Sequence, residues 1–528
     1  MSAHAAQSAV VIGGGIAGLA TAALLAAEGY AVDLLEQQSA VGGRAGSWEA
    51  DGFRFDTGPS WYLMPEVFEH FFNLLGTSSA DQLDLQPIDP AYRVFFEGHT
   101  APIDVAADRA ANVATFEGVE PGAGAALEAY LDSAGDAYDM ALKRFLYTSF
   151  TSPLALAAPD VLRRVPTLLP LLTQSLQTFV GKRFEDHRLR QILGYPAVFL
   201  GSSPDHTPSL YHLMSALDLT GGVLYPQGGF TRLIEVIADL AATRGVKVHT
   251  DARATAITST PRPRRLPGGR THQVRGVRWQ DASGTEHLAR ADVVVGAADL
   301  HHVETSLLPA GLRTYPQRWW DRRTPGPGAV LVLLGIEGLL PQLEHHSLFF
   351  TSDWQRNFDA IRSGKVPVPA SAYVCKPSTT DTGVAPEGDE NLFVLVPMPA
   401  DPALGHGGVD RAGDPAVEKV ADAAIAQVAQ WAGVPDLAQR VRTRRTIGPA
   451  DFAQDLSAWQ GGMLGPGHTL RQSAFFRAGN VSRKVAGLYY AGSSTIPGIG
   501  LPMCLISAEL VVKRLRGDSS SDPVEAPL

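Results

Sequence analysis

The stretch Ser8–Glu36 reads SAVVIGGGIAGLATAALLAAEGYAVDLLE, and it predicts the fold of the first part of the chain. Val10–Ile12 is a β-branched run of the kind that forms a buried parallel strand. An alanine-rich helix is expected over 16–28, with Gly29 placed to cap its C-terminus. The apolar run Ala31–Leu35 predicts a second strand. Strand, helix and strand in this order indicate a βαβ unit, and therefore an α/β fold with a Rossmann-type sheet.

The glycines between the first strand and the helix form a G-x-G-x-x-G pattern. Gly13 permits a tight turn, Gly15 lets the backbone approach a pyrophosphate, and Gly18 lets the helix pack closely on the strand. The helix N-terminus attracts phosphate charge. Glu36 ends the second strand, where it can accept hydrogen bonds from an adenosine ribose. A free ribose hydroxyl suits this carboxylate better than a 2′-phosphate does, so the pattern disfavours NADP.

Two further glycine-rich segments favour FAD over NAD. Gly42-Gly43-Arg44 follows the second strand and brings flexible backbone and a guanidinium within reach of the same pyrophosphate. A solvated loop with a surface arginine is the alternative. Near the other end of the chain, Gly487–Ala508 predicts a buried strand, an open glycine- and proline-rich loop and a helix. Such a loop-to-helix junction can lie against a flavin ring and its ribityl-phosphate chain.

Composition excludes several classes of protein. The chain has 528 residues, of which 19% are charged, and its net charge of −10 argues against a nucleic-acid partner. The two cysteines, Cys375 and Cys504, lie far apart, which excludes a disulfide framework and fits a reducing compartment. No signal peptide and no apolar run long enough to span a bilayer is found. We therefore expect a cytoplasmic protein that is free to contact a membrane surface.

More specific patterns occur along nearly the whole chain. They are Asp56–Trp61 (DTGPSW), Gly222–Leu233 (GVLYPQGGFTRL), Ala291–Leu308 (ADVVVGAADLHHVETSLL), His345–Phe349 (HHSLF), Thr380–Leu395 (TDTGVAPEGDENLFVL), Gln472–Arg477 (QSAFFR) and Ala491–Pro502 (AGSSTIPGIGLP). Together they resemble the bacterial phytoene desaturase family of carotenoid biosynthesis. The resemblance implies a non-covalent FAD enzyme that binds a membrane from one side and inserts double bonds into phytoene, with lycopene as the expected product.

The resemblance also implies a discontinuous domain organisation. The expected boundaries are 8–95, 222–300 and 465–515 for the FAD-binding domain, 96–221 and 301–464 for a mixed α+β substrate and membrane-associating domain, and 516–528 for a disordered tail. Within the second FAD segment, the strand that ends at Val248 is expected to pass the adenine. The candidate cofactor residues are Gly13, Gly15, Gly18, Glu36, Gly43, Arg44, Gly58, Val248, Gly492, Ser493, Gly500, Leu501 and Met503.

The stretch Phe150–Val180 predicts a membrane-interface helical region, because short leucine-rich pieces alternate with prolines and adjacent cations. An ordinary pair of helices that packs inward is the alternative. Within this stretch the resemblance points to Asp160 and Arg163, one helical turn apart, as a pair that acts on a developing carbocation and its proton. A surface ion pair is the alternative there.

The apolar inserts are expected to line a substrate tunnel. The candidates are Phe145, Tyr147, Phe150, Phe199, Leu200, Tyr211, Phe349, Phe350 and Trp354. The pairs His301-His302 and His345-His346 are interpreted as structural, because neighbouring residues on a strand point to opposite faces and no ligand stands at metal-site spacing. No metal is therefore expected.

Other functions stay open at this point. The same fold could act on another carotenoid, as a C30 desaturase, an oxygenase or an isomerase. A flavin amine oxidase would share the N-terminal patterns, but Ser493 stands where such enzymes usually carry an acidic residue. A flavin-binding scaffold or carotenoid carrier is the non-enzymatic alternative. The sequence leaves the oligomeric state and the electron acceptor open.

Overall fold

A computed structural model describes residues 7–150, 159–263 and 269–528. The strands are β1 (Ser8–Ile12), β2 (Ala31–Leu35), β3 (Ser47–Ala50), β4 (Phe53–Asp56), β5 (Leu85–Ile88), β6 (Tyr92–Phe96), β7 (Ile103–Val105), β8 (Val223–Pro226), β9 (Lys247–His249), β10 (Arg253–Pro261), β11 (His272–Gln280), β12 (Glu286–Arg290), β13 (Val293–Gly296), β14 (Gly328–Ile336), β15 (His346–Phe350), β16 (Ala372–Cys375), β17 (Glu390–Met398), β18 (Val441–Ile447), β19 (Val485–Ala486) and β20 (Leu488–Tyr490).

The helices are α1 (Ile16–Ala27), α2 (Pro65–Leu74), α3 (Ser79–Gln82), α4 (Arg109–Val119), α5 (Ala123–Ala141), α6 (Pro159–Thr173), α7 (Leu176–Gly181), α8 (His187–Gly194), α9 (Pro196–Phe199), α10 (Ser215–Asp218), α11 (Gly229–Thr243), α12 (Leu300–Thr305), α13 (Gln317–Trp320), α14 (Trp354–Arg362), α15 (Pro415–Trp431), α16 (Pro449–Asp455) and α17 (Leu501–Arg516). Short 3-10 turns connect several of them.

The first large sheet is parallel and has the strand order β20-β13-β1-β2-β9. The predicted βαβ unit is confirmed, with α1 between β1 and β2 and with Gly29 at positive φ just beyond the helix. Helix α1 is almost wholly buried, and α11 and α17 pack against it. This explains why it is alanine-rich rather than amphipathic: small side chains allow neighbours to approach on every face.

The second large sheet is mixed, with the order β18-β14-β17-β16-β15-β6-β7. Strands β15 and β6 are parallel and the other neighbours are antiparallel. Every residue of β14 is buried, because α15 packs on one of its faces and side chains of β4 on the other. Strand β6 comes from the end of the segment predicted for the cofactor domain, yet it pairs in this second sheet. Side chains of β14–β17 contribute to the wall of the main cavity.

The end of the chain differs from the expected disordered tail. Helix α17 continues to Arg516, and the following residues fold back along it. The Lys513 ammonium donates to the carbonyl of Ser520 at 3.0 Å, and the N–H of Val524 donates to Glu509 Oε1 at 2.6 Å. Composition alone misses these contacts, because a few backbone groups and the single buried side chain of Val524 hold a segment that is otherwise polar. Within the described ranges, no helix has both the length and the apolar character needed to cross a bilayer.

Candidate active site

A cavity of about 940 Å³ is lined both by the glycine-rich turns and by the aromatic side chains of the inserts. The first group surrounds the ends of β1 and β2 and the start of α1, where a parallel sheet presents its ligand-binding edge. The second group comes from the mixed sheet and from the helices between 137 and 217. The cavity therefore joins a polar cradle to an apolar chamber.

The three glycines of the first turn are required for different reasons. A Cβ at Gly18 would lie 1.8 Å from the carbonyl oxygen of Gly13, and Gly13 itself has a φ of +102°. These two positions need glycine because of the protein's own backbone. Gly15 has an extended conformation with a φ of −71°, and a Cβ there would be 3.8 Å from the nearest protein atom, the Gly42 carbonyl oxygen. Gly15 lines the cavity, so the absence of a side chain there leaves space for a bound molecule and not for another part of the protein.

Glu36 is buried at the end of β2, where its carboxylate holds the turn. Its Oε2 accepts a hydrogen bond from the N–H of Gly14 at 2.6 Å, and its Oε1 accepts one from the N–H of Gln38 at 2.8 Å. Each carboxylate oxygen can accept a further hydrogen bond. Because Glu36 also lines the cavity, it is placed to receive the hydroxyls of a ribose.

The Gly42–Gly46 loop is built directly on the first turn. The N–H of Gly42 donates to the Gly14 carbonyl at 2.9 Å. The Nε of Arg44 donates to the Met463 carbonyl at 2.8 Å, while its Nη2 is buried and has no hydrogen-bond partner among the described residues. A buried donor left unpaired costs roughly 1–3 kcal/mol, so this guanidinium is suited to an anion in the cavity. A Cβ at Gly58 would lie 1.9 Å from the Arg44 carbonyl oxygen, which explains that glycine.

The C-terminal loop is held by buried polar side chains that the sequence analysis did not single out individually. The Arg477 guanidinium donates to the carbonyls of Thr495, at 3.0 Å, and Ser493. Burial lowers the pKa of Arg477 to about 10. The N–H of Gly492 donates to Ser507 Oγ at 3.0 Å. The QSAFFR pattern ends at Arg477, and it was the available signal for this contact.

These features fit a flavin dinucleotide. Helices α1 and α17 both begin at the cavity after a glycine, and neither N-terminus is capped by a side chain. Such ends bind phosphate. The predicted cofactor residues that line the cavity are Gly13, Gly15, Glu36, Gly43, Arg44, Gly58, Gly492, Ser493, Gly500, Leu501 and Met503.

Two predicted cofactor residues lie elsewhere. Gly18 is outside the cavity lining and packs α1 on the first turn instead. The side chain of Val248 is 37% exposed and does not line the cavity, because β9 is the edge strand of its sheet. Ala252 and Ala254, just beyond that strand, contribute to the wall in its place.

The apolar wall includes most of the predicted tunnel residues. Those that line the cavity are Phe145, Phe150, Phe199, Leu200, Tyr211, Phe350 and Trp354. Tyr147 and Phe349 are core residues instead, and the Phe349 ring stacks on Phe95 at a centroid distance of 4.7 Å. Sequence alone could not distinguish the two sets, because alternate strand residues face opposite sides.

A buried carboxyl lies behind the wall. Tyr195 lines the cavity, and its hydroxyl donates to Asp218 Oδ2 at 2.6 Å. The Tyr92 hydroxyl donates to the same oxygen at 3.1 Å. Burial raises the pKa of Asp218 to about 6. This triad holds the aromatic wall in position.

Only one member of the predicted acid/base pair, Arg163, can be placed in the structure. Arg163 lies on α6, is exposed and does not line the cavity, although Leu168, Leu169 and Leu172 of the same helix do. The side chain of Asp160 lies outside the described part of the chain. Their roles stay a prediction from the resemblance.

The histidine pairs have different surroundings from those expected. His302 lines the cavity, and burial lowers its pKa. His345 and His346 are buried beside Cys375, thirty residues along the chain, so a thiol that was distant in sequence is a neighbour in space. The argument that no ligand stands near this pair was therefore wrong.

Comparison with known proteins gives consistent results. The model of the family "Flavin containing amine oxidoreductase" matches residues 16–516. A carotenoid 3,4-desaturase of Haloarcula japonica is 41% identical, over 98% of this chain and 100% of its own. A zeta-carotene-forming phytoene desaturase of Myxococcus xanthus is 33% identical, over 96% of this chain and 93% of its own.

Among solved structures, cyclohexylamine oxidase from Brevibacterium oxydans superimposes with a TM-score of 0.57 at 15% identity, covering 97% of this chain and 100% of that one. A putrescine oxidase gives a TM-score of 0.60 at 15% identity, with coverage of 97% and 99%. At such identities these structures show the fold alone.

Proposed function

Because the chain belongs to the flavin-containing amine oxidoreductase family and its full-length relatives are carotenoid desaturases, we propose that it removes hydrogen from a carbon–carbon bond of a C40 carotenoid. It is an FAD-dependent oxidoreductase that acts on CH–CH groups. The single observation that carries the substrate proposal is the cavity, in which the cofactor cradle and an aromatic chamber share one space.

Bound FAD supplies a hydride acceptor, so the protein's work is to bind, orient and exclude water. Arg44 and the two helix N-termini would hold the pyrophosphate, and Glu36 would orient the ribose. The aromatic wall, which includes Trp61 and Phe350, holds an extended hydrocarbon in a water-free space. A C–H bond next to a carbocation is strongly acidic. A weak base is therefore enough to accept the proton that leaves.

Two carotenoid substrates are supported by different observations. The sequence patterns favour phytoene, which would be converted towards lycopene, and the phytoene desaturase of Myxococcus xanthus supports this reading. The more similar Haloarcula relative favours desaturation of a 3,4 bond. We rank the 3,4-desaturase above the phytoene desaturase, because the Haloarcula relative is 41% identical to this chain and the Myxococcus relative 33%.

Expression in one bacterial strain that accumulates phytoene and in another that accumulates lycopene separates these readings. A 3,4-desaturase leaves the first extract colourless and shifts the absorption bands of the second to longer wavelength. A phytoene desaturase gives a red extract in the first strain. Unchanged pigment in both strains, despite FAD-loaded protein, would exclude both and favour a C30 or modified carotenoid.

We further place the cavity mouth against the cytoplasmic membrane, as a peripheral contact. Leu169, Leu172 and Phe475 line the cavity and are 56%, 38% and 37% exposed, respectively, and Phe476 beside them is 62% exposed. The ring centroids of Phe150 and Phe475 are 4.5 Å apart. The chain around Phe150 therefore contacts the chain around Phe475 at this mouth. Exposed apolar groups around a cavity that takes an insoluble hydrocarbon favour contact with lipid.

Flotation with vesicles that contain anionic lipid tests this contact. Leu169→Glu combined with Phe476→Glu should abolish flotation, because both charges would have to enter the interface. Leu339→Glu is a matched control at a side chain that is 64% exposed and does not line the cavity. Equal flotation of all three proteins would exclude this face as the contact.

A further inference from the structure

Two imidazoles and a thiol form a buried cluster behind the cavity wall. His346 and Cys375 lie directly opposite each other on the antiparallel strands β15 and β16, and His345 precedes β15. One nitrogen from each histidine and the Cys375 Sγ all lie within 4.8 Å of one another. The three residues are 1%, 0% and 2% exposed, in chain order. Three ligands at bond lengths of roughly 2.0–2.3 Å from one ion lie about 3.5–4 Å apart, so the side chains would have to close by up to about 1 Å on binding.

Both histidines have one nitrogen fixed and one free. Nδ1 of His345 lies 2.8 Å from Thr380 Oγ1, and Nδ1 of His346 lies 2.8 Å from the Tyr373 hydroxyl. The two Nε2 atoms are buried and have no hydrogen-bond partner among the described residues. In either tautomer an unpaired buried nitrogen costs roughly 1–3 kcal/mol, and an ion bound at Nε2 would remove that cost. With the hydrogen on Nδ1, each Nε2 offers a lone pair to a metal ion.

This is the arrangement of metal-binding histidines, whose second nitrogen donates to an orienting group. Here Thr380 and Tyr373 are the orienting groups. The Tyr373 hydroxyl is itself 2.7 Å from Ser60 Oγ, so it can accept from His346 and donate to Ser60.

The charges around the cluster select the ion. Two ion pairs lie near the cluster. Lys376 Nζ is 3.1 Å from Glu390 Oε1, and Arg54 Nη2 is 3.9 Å from Asp381 Oδ2. Each of these two pairs is balanced in itself, and Asp56, the further carboxyl that acts on Cys375, accepts hydrogen bonds from the N–H groups of Phe230 and Thr231. A Cys375 thiolate with a monovalent cation is neutral, whereas a divalent cation would leave a net charge in a buried place, which is costly. Thiolate and imidazole ligands favour copper(I) and zinc among available metals.

We propose that His345, His346 and Cys375 bind one Cu(I) ion. The copper–sulfur bond replaces the sulfur–hydrogen bond, and the proton leaves to solvent with no change of oxidation state. The cluster lies next to the cavity, since Trp61 and Tyr373 line the cavity and the Trp61 ring stacks on His346 at a centroid distance of 4.4 Å.

Anaerobic titration of the FAD-loaded protein with Cu(I), in competition with the coloured chelator bicinchoninate, tests the site. The wild-type protein should take one equivalent from the chelator, and Cys375→Ser should take none. Cys504→Ser, which removes the other buried thiol, should still take one. Thr380→Val should weaken binding roughly 10–100-fold, because it frees the His345 ring.

Three results would overturn the proposal: no copper taken by the wild type, a full equivalent retained by Cys375→Ser, or displacement of the copper by equimolar Zn(II). If Cys375→Ser does not fold, copper K-edge absorption of the wild-type complex decides the question. One sulfur and two imidazole scatterers are expected. A spectrum without sulfur would overturn the proposal independently of any variant.

Discussion

Gly15→Ala tests whether Gly15 is required for FAD binding or for the stability of the fold. A methyl group at Gly15 meets no protein atom closer than 3.8 Å, and the φ of −71° is open to any residue. The apoprotein should be as stable as the wild type or slightly more so, by about 0.4–1 kcal/mol, because the unfolded chain loses freedom. Gly15 also lines the cavity, where we propose that the pyrophosphate approaches the backbone. We expect FAD affinity to fall about 100-fold, or about 2.8 kcal/mol.

Gly18→Ala is the matched control. Its Cβ would lie 1.8 Å from the Gly13 carbonyl oxygen, so α1 must shift away from β1. Overpacking of this kind costs roughly 1–3 kcal/mol, and the cost falls on the apoprotein itself.

Urea unfolding of the two apoproteins, followed by titration with FAD monitored by flavin fluorescence, measures both quantities. Normal FAD affinity in Gly15→Ala would refute the assignment of that turn. So would an apoprotein of Gly15→Ala that is destabilised as much as that of Gly18→Ala.

Three other predictions concern single contacts. Arg44→Met should weaken FAD binding at least tenfold in the same titration with little change in apoprotein stability, because the unpaired Nη2 is lost; unchanged affinity would contradict its role. Asp218 has a pKa of about 6 when folded and 3.8 when unfolded, so the stability of the wild type should fall relative to that of Asp218→Asn as the pH rises from about 4 to 6; parallel Tm series of the two proteins would contradict the burial argument. Removal of residues 519–528 should lower stability by about 1–3 kcal/mol in urea, because Lys513 and Glu509 lose backbone partners, and the loss should be smaller in a Lys513→Met background, where only the Glu509 contact remains to be lost; a truncation without effect would restore the disordered tail.

Local sequence was sufficient for the βαβ unit and for much of the cofactor cradle. The strand, the glycine turn, the helix and Glu36 lie within thirty residues, and their conformations follow from backbone freedom and side-chain period. Gly18 could be recognised for the same reason, because the Gly13 carbonyl that excludes a side chain there belongs to the same turn. The positive φ of Gly13 is also a local requirement, although the atoms that a side chain there would meet belong to the distant Ala297 and Ala298. The loop that carries Arg44 follows shortly after Glu36 in the chain, so its position against the turn could also be predicted from the sequence.

The rest depends on contacts between residues that are distant in the chain. Strand β15 pairs with β6, about 250 residues earlier, and this pairing helps to form the apolar chamber. Strand register decides which of Phe349 and Phe350 lines that chamber and how Cys375 comes to face His346. A shift of one residue in the pairing of a strand would turn each of its side chains to the opposite face of the sheet. No local pattern specifies the register between distant strands. Packing of the whole chain selects it, because only one register buries both sheets.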